Sequence, residues 1–302
     1  MKMLTSFFLL TFQLVAQPSQ EILHTYMSKI RENPHTPVPQ EILSEGENEL
    51  ALLDALSEYT RDTLKIVRIK AYDLVGRIGY QNKKPAIRKQ AVQILIGGIY
   101  DDQRISGNVI SDLGDFSKED FDDKSKGSIS KLVRKGVPYP GETIKLAGYL
   151  ELDIIDELNA LFIDASVNSQ SRFYAQLALA RLGNNTAINA ISDKLTTMNV
   201  DDNFVYDLIP ELVYTRQKQI FNYLVNIIQS NELNCYSANP NSERKILCGY
   251  RVMEYLAKAI VDYPLKVDEF GDLEIDNYQT ALIRVREWFI NNPDYRIKRD
   301  TF

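Results

Sequence analysis

Cys235 and Cys248 are the only two thiols in the 302-residue chain, and they stand thirteen positions apart in a polar, asparagine-rich stretch. Two thiols admit one intramolecular pairing, and closing so short a loop would contribute about 3 kcal/mol. The alternative is that Cys248 is the small buried residue of a helix and stays a thiol. Elsewhere the residue types that carry chemistry are sparse. His24 and His35 are the only histidines, and neither stands in a His-Glu-x-x-His or Cys-His arrangement. There is no glycine-rich phosphate loop and no Gly-x-Ser-x-Gly, so no nucleophile, cofactor site or metal set is expected. The acidic run 112–123 lacks the EF-hand spacing of carboxylates around a central glycine, and reads as a solvated loop. Tyrosine is abundant, 17 residues against one tryptophan. Tyr206 and Tyr214 fall eight apart on one helical pattern and Tyr223 on the next. Their apolar rings with polar tips make them candidates for a partner-binding face, the alternative being ordinary packing.

The elements that must position these residues repeat a short phrase: a basic residue, two residues, then a small one, inside an apolar helical pattern that ends in glycine. Its clear copies pair Arg68 with Ala71, ahead of Gly79, and Arg172 with Ala175, ahead of Gly183. Weaker copies pair Arg88 with Ala91, Arg104 with Gly107, Lys145 with Gly148 and Lys245 with Cys248. Recurrence every few tens of residues is the mark of a helical repeat array. The small residue would let a second helix come close, and a large side chain there would overpack. The basic residue is out of place near a helix start, where the macrodipole disfavours positive charge. It is therefore expected to lie over an interface and donate to carbonyls or carboxylates of the preceding unit.

Six helix pairs follow from the periodicity, at about 63–79 with 85–99, 104 onward with 125–135, 142–152 with 154–164, 170–182 with 186–197, 203–214 with 217–230, and 242–261 with 276–291. Residues 17–62 lack the phrase and form an amino-terminal helical cap, leaving 63–302 as the array. No stretch alternates with period two long enough to require a sheet, so the chain is expected to be all α.

The segment 171–195, with Arg172, Ala175, Leu179, Leu182, Gly183, Ala187, Ile188, Ala190, Ile191 and Leu195, resembles HEAT-like repeats, in particular the short variety also seen in phycobilin lyases. Residues 67–79 match over one helix, and the rest of 63–292 is looser. The resemblance implies an α-solenoid, a right-handed superhelix of antiparallel helix pairs of the HEAT and armadillo kind that binds partners, usually proteins, along a concave face. It carries no activity, because such repeats occur in scaffolds, transport receptors and a few enzymes alike.

Lys2 followed by an apolar stretch ending at Ala16 fits a secretory signal peptide over residues 1–16, too short to span a bilayer. Export would place the cysteines in an oxidising compartment. With 35 basic and 41 acidic residues the chain is acidic, which speaks against a nucleic-acid partner, whose phosphates call for lysine and arginine. These features together imply an exported, periplasmic or secreted, non-enzymatic scaffold with a protein partner and no transmembrane segment once the signal is removed. The competing expectation is a lyase-like or small-ligand-binding repeat protein that uses its concave groove.

Overall fold

A computed structural model describes residues 18–44, 48–80, 82–135, 137–237, 243–268 and 271–302. The expected signal segment, residues 1–16, lies outside the described residues. The described chain is mostly helical, with fifteen α-helices and a single two-stranded sheet. The described residues pack as two compact units, one up to Gly98 and one from Ile99 onward.

The first unit contains α1 (Pro18–Glu32), α2 (Gln40–Leu43), α3 (Glu49–Tyr59), α4 (Lys65–Tyr80) and α5 (Pro85–Gly98). Leu23, Met27 and Ile30 make the buried stripe of α1 at spacings of four and three. The helix stops at Glu32 because Pro34 can neither donate to the ladder nor tolerate helix before it. α4 and α5 form the expected hairpin, and α1 and α3 pack directly on α4. The helices read as a separate cap therefore share one core with the first pair, and the packing boundary falls after Gly98 rather than at residue 62.

The second unit contains α6 (Gln103–Gly114), α7 (Asp123–Lys135), α8 (Pro140–Tyr149), α9 (Ile155–Ile163), α10 (Ser169–Arg181), α11 (Asn185–Leu195), α12 (Ile209–Tyr214), α13 (Lys218–Gln229), α14 (Gly249–Ala259) and α15 (Tyr278–Asn291). The pairings α10–α11, α12–α13 and α14–α15 are formed as the periodicity implies. The second and third pairs are not. α6 and α7 both pack on α8, and α9 packs on α10 rather than on α8. The reason for the first departure lies in residues 112–123, which are no solvated loop. Phe116 and Phe121 are buried, and Asp120 is buried within a capping box with Ser117 around a 3₁₀ turn, Lys118–Asp120. Asp122 accepts from the Ser125 amide to open α7. These residues are spent on local structure and core, which redirects the chain.

Cys235 and Cys248 are joined as a disulfide. The bridge closes over the antiparallel strands β1 (Cys235–Tyr236) and β2 (Lys245–Ile246), so α14 begins at Gly249 rather than at residue 242. Lys245 thus lies in a strand, outside any helical phrase.

α8 and α10 approach closely. A Cβ built on Gly148 would lie 2.9 Å from Ala178 Cβ and overlap the Tyr214 hydroxyl, whereas one on Gly127, inside α7, meets nothing within 4 Å. At Gly148 the missing side chain is what permits the approach. Gly148→Ala is expected to destabilise the fold by about 1 to 3 kcal/mol. Gly127→Ala should stabilise it by up to about 1 kcal/mol through helix propensity alone. Urea unfolding of both variants measures the contrast, and equal effects would contradict the close-packing account.

Candidate functional site

The phrase residues divide in the structure. Ala71 and Ala175 are fully buried, and a Cβ on Gly107 would meet the Tyr139 ring at 3.2 Å. The basic residues have three different fates. Arg68 Nη1 donates to the carbonyls of Asp62 at 3.0 Å and Thr63 at 3.4 Å, while the Asp62 carboxylate accepts from the Leu64 amide. Arg88 repeats this geometry, donating to the carbonyls of Asn82 and Lys83 while the Asn82 side chain accepts from the Lys84 amide. These acceptors belong to the turn that leads into the arginine's own helix. The side chain reaches back past the helix start to the carbonyls before it, and so avoids the positive end of the dipole.

Lys145 is the copy that reaches a different helix. Its ammonium pairs with Glu211 of α12 at 3.0 Å and with Glu142 at 3.4 Å. Burial raises the Glu211 pKa, and the Lys145 charge opposes that rise. Arg172 does not behave as expected. Among the described residues its buried Nε has no hydrogen-bond partner. Arg104 is exposed, and among the described residues it makes no side-chain hydrogen bond or ion pair.

The tyrosines do not share a face. Tyr206 is exposed, with the Arg251 guanidinium over its ring, and Tyr223 is half-buried against Phe204. Tyr214 is 4% exposed and donates to the Lys145 carbonyl at 2.6 Å, so it is an interior residue and no partner-binding candidate. The expected alignment fails because residues Phe204–Leu208 form a π-helical turn. Pro210 has no amide proton to give the ladder, and the Ile209 amide instead bonds back five residues to the Phe204 carbonyl. The widened turn shifts the phase between Tyr206 and Tyr214.

That same turn borders a groove of about 590 Å³ on the second unit. Its apolar lining comes from Phe173 of α10, Ile191 and Leu195 of α11, Phe204 and Leu208 of the π turn, and Leu212 of α12. Met198, 36% exposed, stands at the mouth, and Lys194, Asp201 and Asp207 supply charge around it. The volume falls within the range of sites that enclose small molecules or a few side chains. Sequence reading missed the groove because its lining is drawn from four elements. The one available signal was proline after an apolar helical run, which foretells a local break in the ladder.

Neither histidine lines this groove. His24 pairs through Nδ1 with the Tyr59 hydroxyl, joining α1 to α3, and His35 sits in the following turn. No group of three or more histidine, cysteine, aspartate or glutamate side chains among the described residues is placed to hold a metal ion. No helix among them is long and apolar enough to cross a membrane. No family model matches the chain, and no curated protein matches its sequence.

Two outcomes follow from the basic residues and their partners. Arg68→Met should cost about 1 kcal/mol by losing charge-assisted bonds to the turn, and Arg172→Met should cost less than about 0.5 kcal/mol. Thermal melts of the two variants rank them, and the reverse order would overturn the assignment. Glu211 binds its proton more tightly in the folded than in the unfolded chain. Its contribution therefore falls as pH rises from the ordinary glutamate range through the raised folded value. Urea unfolding from about pH 4 to 8 should show that fall in the parent and its loss in Glu211→Gln.

Proposed function

We propose that this protein is an exported, non-enzymatic helical-repeat scaffold of the HEAT-like kind, and that the groove beside the π turn is where it takes hold of another protein. The observation that carries this reading is the groove: an open apolar concavity, bordered by a local irregularity of the helix, with charges confined to its rim. π turns of this kind recur at functional sites because the extra residue turns side chains away from the regular helical phase. The lining suits two or three apolar side chains of a partner segment, and Asp201 and Asp207 favour a basic residue flanking them. The disulfide supports export, since such bonds persist in oxidising compartments. Repeat architecture is supported by the helix hairpins α4–α5, α10–α11, α12–α13 and α14–α15, together with the recurring turn clamps at Arg68 and Arg88.

A groove of this size also suits a small apolar ligand, which keeps the lyase-like alternative in the test. Affinity capture from the exported fraction of the native host, with the parent and a Met198→Glu variant of the same fold, distinguishes these readings. The scaffold reading expects a retained protein whose recovery falls at least about tenfold with Met198→Glu, since a charge at the mouth disfavours apolar insertion. Retention that ignores the substitution would overturn the groove as the docking site. A saturable change in absorbance or fluorescence with a small apolar molecule, and no protein retained, would favour the ligand-binding alternative.

A further inference from the structure

Away from that groove, the second unit buries two like charges with no side-chain carboxylate among the described residues bonded to either. Arg181 is 1% exposed and Arg216 is 6% exposed. Arg181 lies against the rings of Tyr149 and Tyr214, 5.2 and 4.7 Å from their centres, and its Nη1 donates to the Tyr214 carbonyl at 2.7 Å. Arg216 adopts a left-handed backbone at φ 53° and donates to the Val213 carbonyl, and its Nε has no partner. Burial, and next the like charge of Arg181, push the Arg216 guanidinium down to about 9. Charges buried in this way are tolerable only when their donors are matched.

Residues 299–302 do much of the matching. Arg181 Nη2 donates to the carbonyls of Arg299 at 3.1 Å and Thr301 at 2.7 Å, while the Tyr149 hydroxyl bonds the Asp300 carbonyl at 3.4 Å. Carbonyls of alternate residues are thus taken on one side and the intervening one by another group, which is the period-two pattern of an extended chain. Arg216 Nη2 reaches the Thr301 hydroxyl at 2.7 Å and the main-chain oxygens of Thr301 and Phe302 at 3.4 and 3.3 Å. The Phe302 ring stands edge-on to Tyr149 and Tyr214, with the Lys145 ammonium 5.8 Å from its centre. A Cβ on Gly114 would come within 2.7 Å of that ring, so the site needs glycine there. Arg299, Asp300 and Thr301 stay exposed overall and add little to the core, while Arg299 donates to the Arg181 carbonyl at 3.1 Å and pairs with Glu151 at 3.6 Å, and Asp300 pairs with Lys118 at 3.8 Å.

We propose that the cleft formed by Gly114, Lys145, Tyr149, Arg181, Tyr214 and Arg216 is a recognition site for an extended peptide carrying a hydroxyl residue followed by an aromatic one, and that residues 299–302 are its intramolecular occupant. The guanidiniums read main-chain oxygens, which any sequence offers, and the specificity rests on the buried-side contacts of the Thr301 hydroxyl and the Phe302 ring, with the solvent-side pairs of Arg299 and Asp300 adding to it. An intramolecular segment acts at high effective concentration, so an added peptide gains access only when that segment is weakened.

The test uses a fluorescently labelled hexapeptide with the sequence of residues 297–302, followed by polarisation against the full chain and its T301A/F302A variant. The variant should bind the peptide saturably and at least about tenfold more tightly than the parent, with a matching rise in its melting temperature. A peptide ending in Ala-Ala should not bind either protein. A folded variant that fails to bind, or equal binding by parent and variant, would overturn the proposal. Should the double variant not fold, Phe302→Ala alone carries the same comparison, because it leaves the carbonyl contacts in place.

Discussion

The approach of α8 to α10 governs the second unit. Gly148 and Ala178 meet where neither helix carries a large side chain, and the Tyr214 hydroxyl fills the remaining space to bond the Lys145 carbonyl. That contact brings α12 against the same pair of helices and thereby aligns Lys145 with Glu211, and Arg181 with the Tyr214 carbonyl. A side chain at residue 148 would force α8 and α10 apart and release all of these groups together, because close-packed interiors transmit a displacement rather than absorb it. The cleft that holds residues 299–302 and the groove at the π turn both draw walls from α10 and α12, so both inherit their geometry from this one close approach.

Charge in this chain is placed according to which backbone groups lack partners. Arg68 and Arg88 take the carbonyls of turns, Arg286 takes the carbonyls of Ile228 in the last turn of α13 and of Ser230 just past it, and Arg181 takes those of Tyr214, Arg299 and Thr301. In each case the planar guanidinium reaches more than one acceptor. Arginine here works as a main-chain cap between elements, and Lys218 does the same for the carbonyls of Pro293 and Tyr295. Lys145 differs, since its partners are carboxylates and aromatic faces.

The π turn at Phe204–Leu208 gives a second example of one covalent fact acting at a distance. Pro210 removes a donor, the ladder slips by one residue, and Leu208 is left at the lip of an apolar groove while Tyr206 and Asp207 turn outward. The same slip takes Tyr214 into the interior, where burial pushes its hydroxyl well above the ordinary tyrosine range. Regular helical spacing predicts the wrong face for every residue beyond such a break.

From sequence alone came the helical class, the extent of most helices, the small residues at which helices meet and the one cysteine pairing. Each rests on short-range regularities: apolar period, glycine and proline punctuation, and the arithmetic of two thiols. Gly183 shows how local these are. Its left-handed φ of 87° lets its own amide and that of Asn184 close on the carbonyls of Ala180 and Leu179, ending α10 by contacts within one turn. Tertiary structure alone decided that α6 and α7 both turn to α8, that Arg172 Nε finds no hydrogen-bond partner among the described residues while Lys145 pairs with two carboxylates, and that Arg181 and Arg216 meet residues 299–302. Those contacts join positions up to 120 residues apart. No local periodicity encodes them, because they depend on which helix reaches which neighbour once side-chain volume and buried charge have been matched in three dimensions.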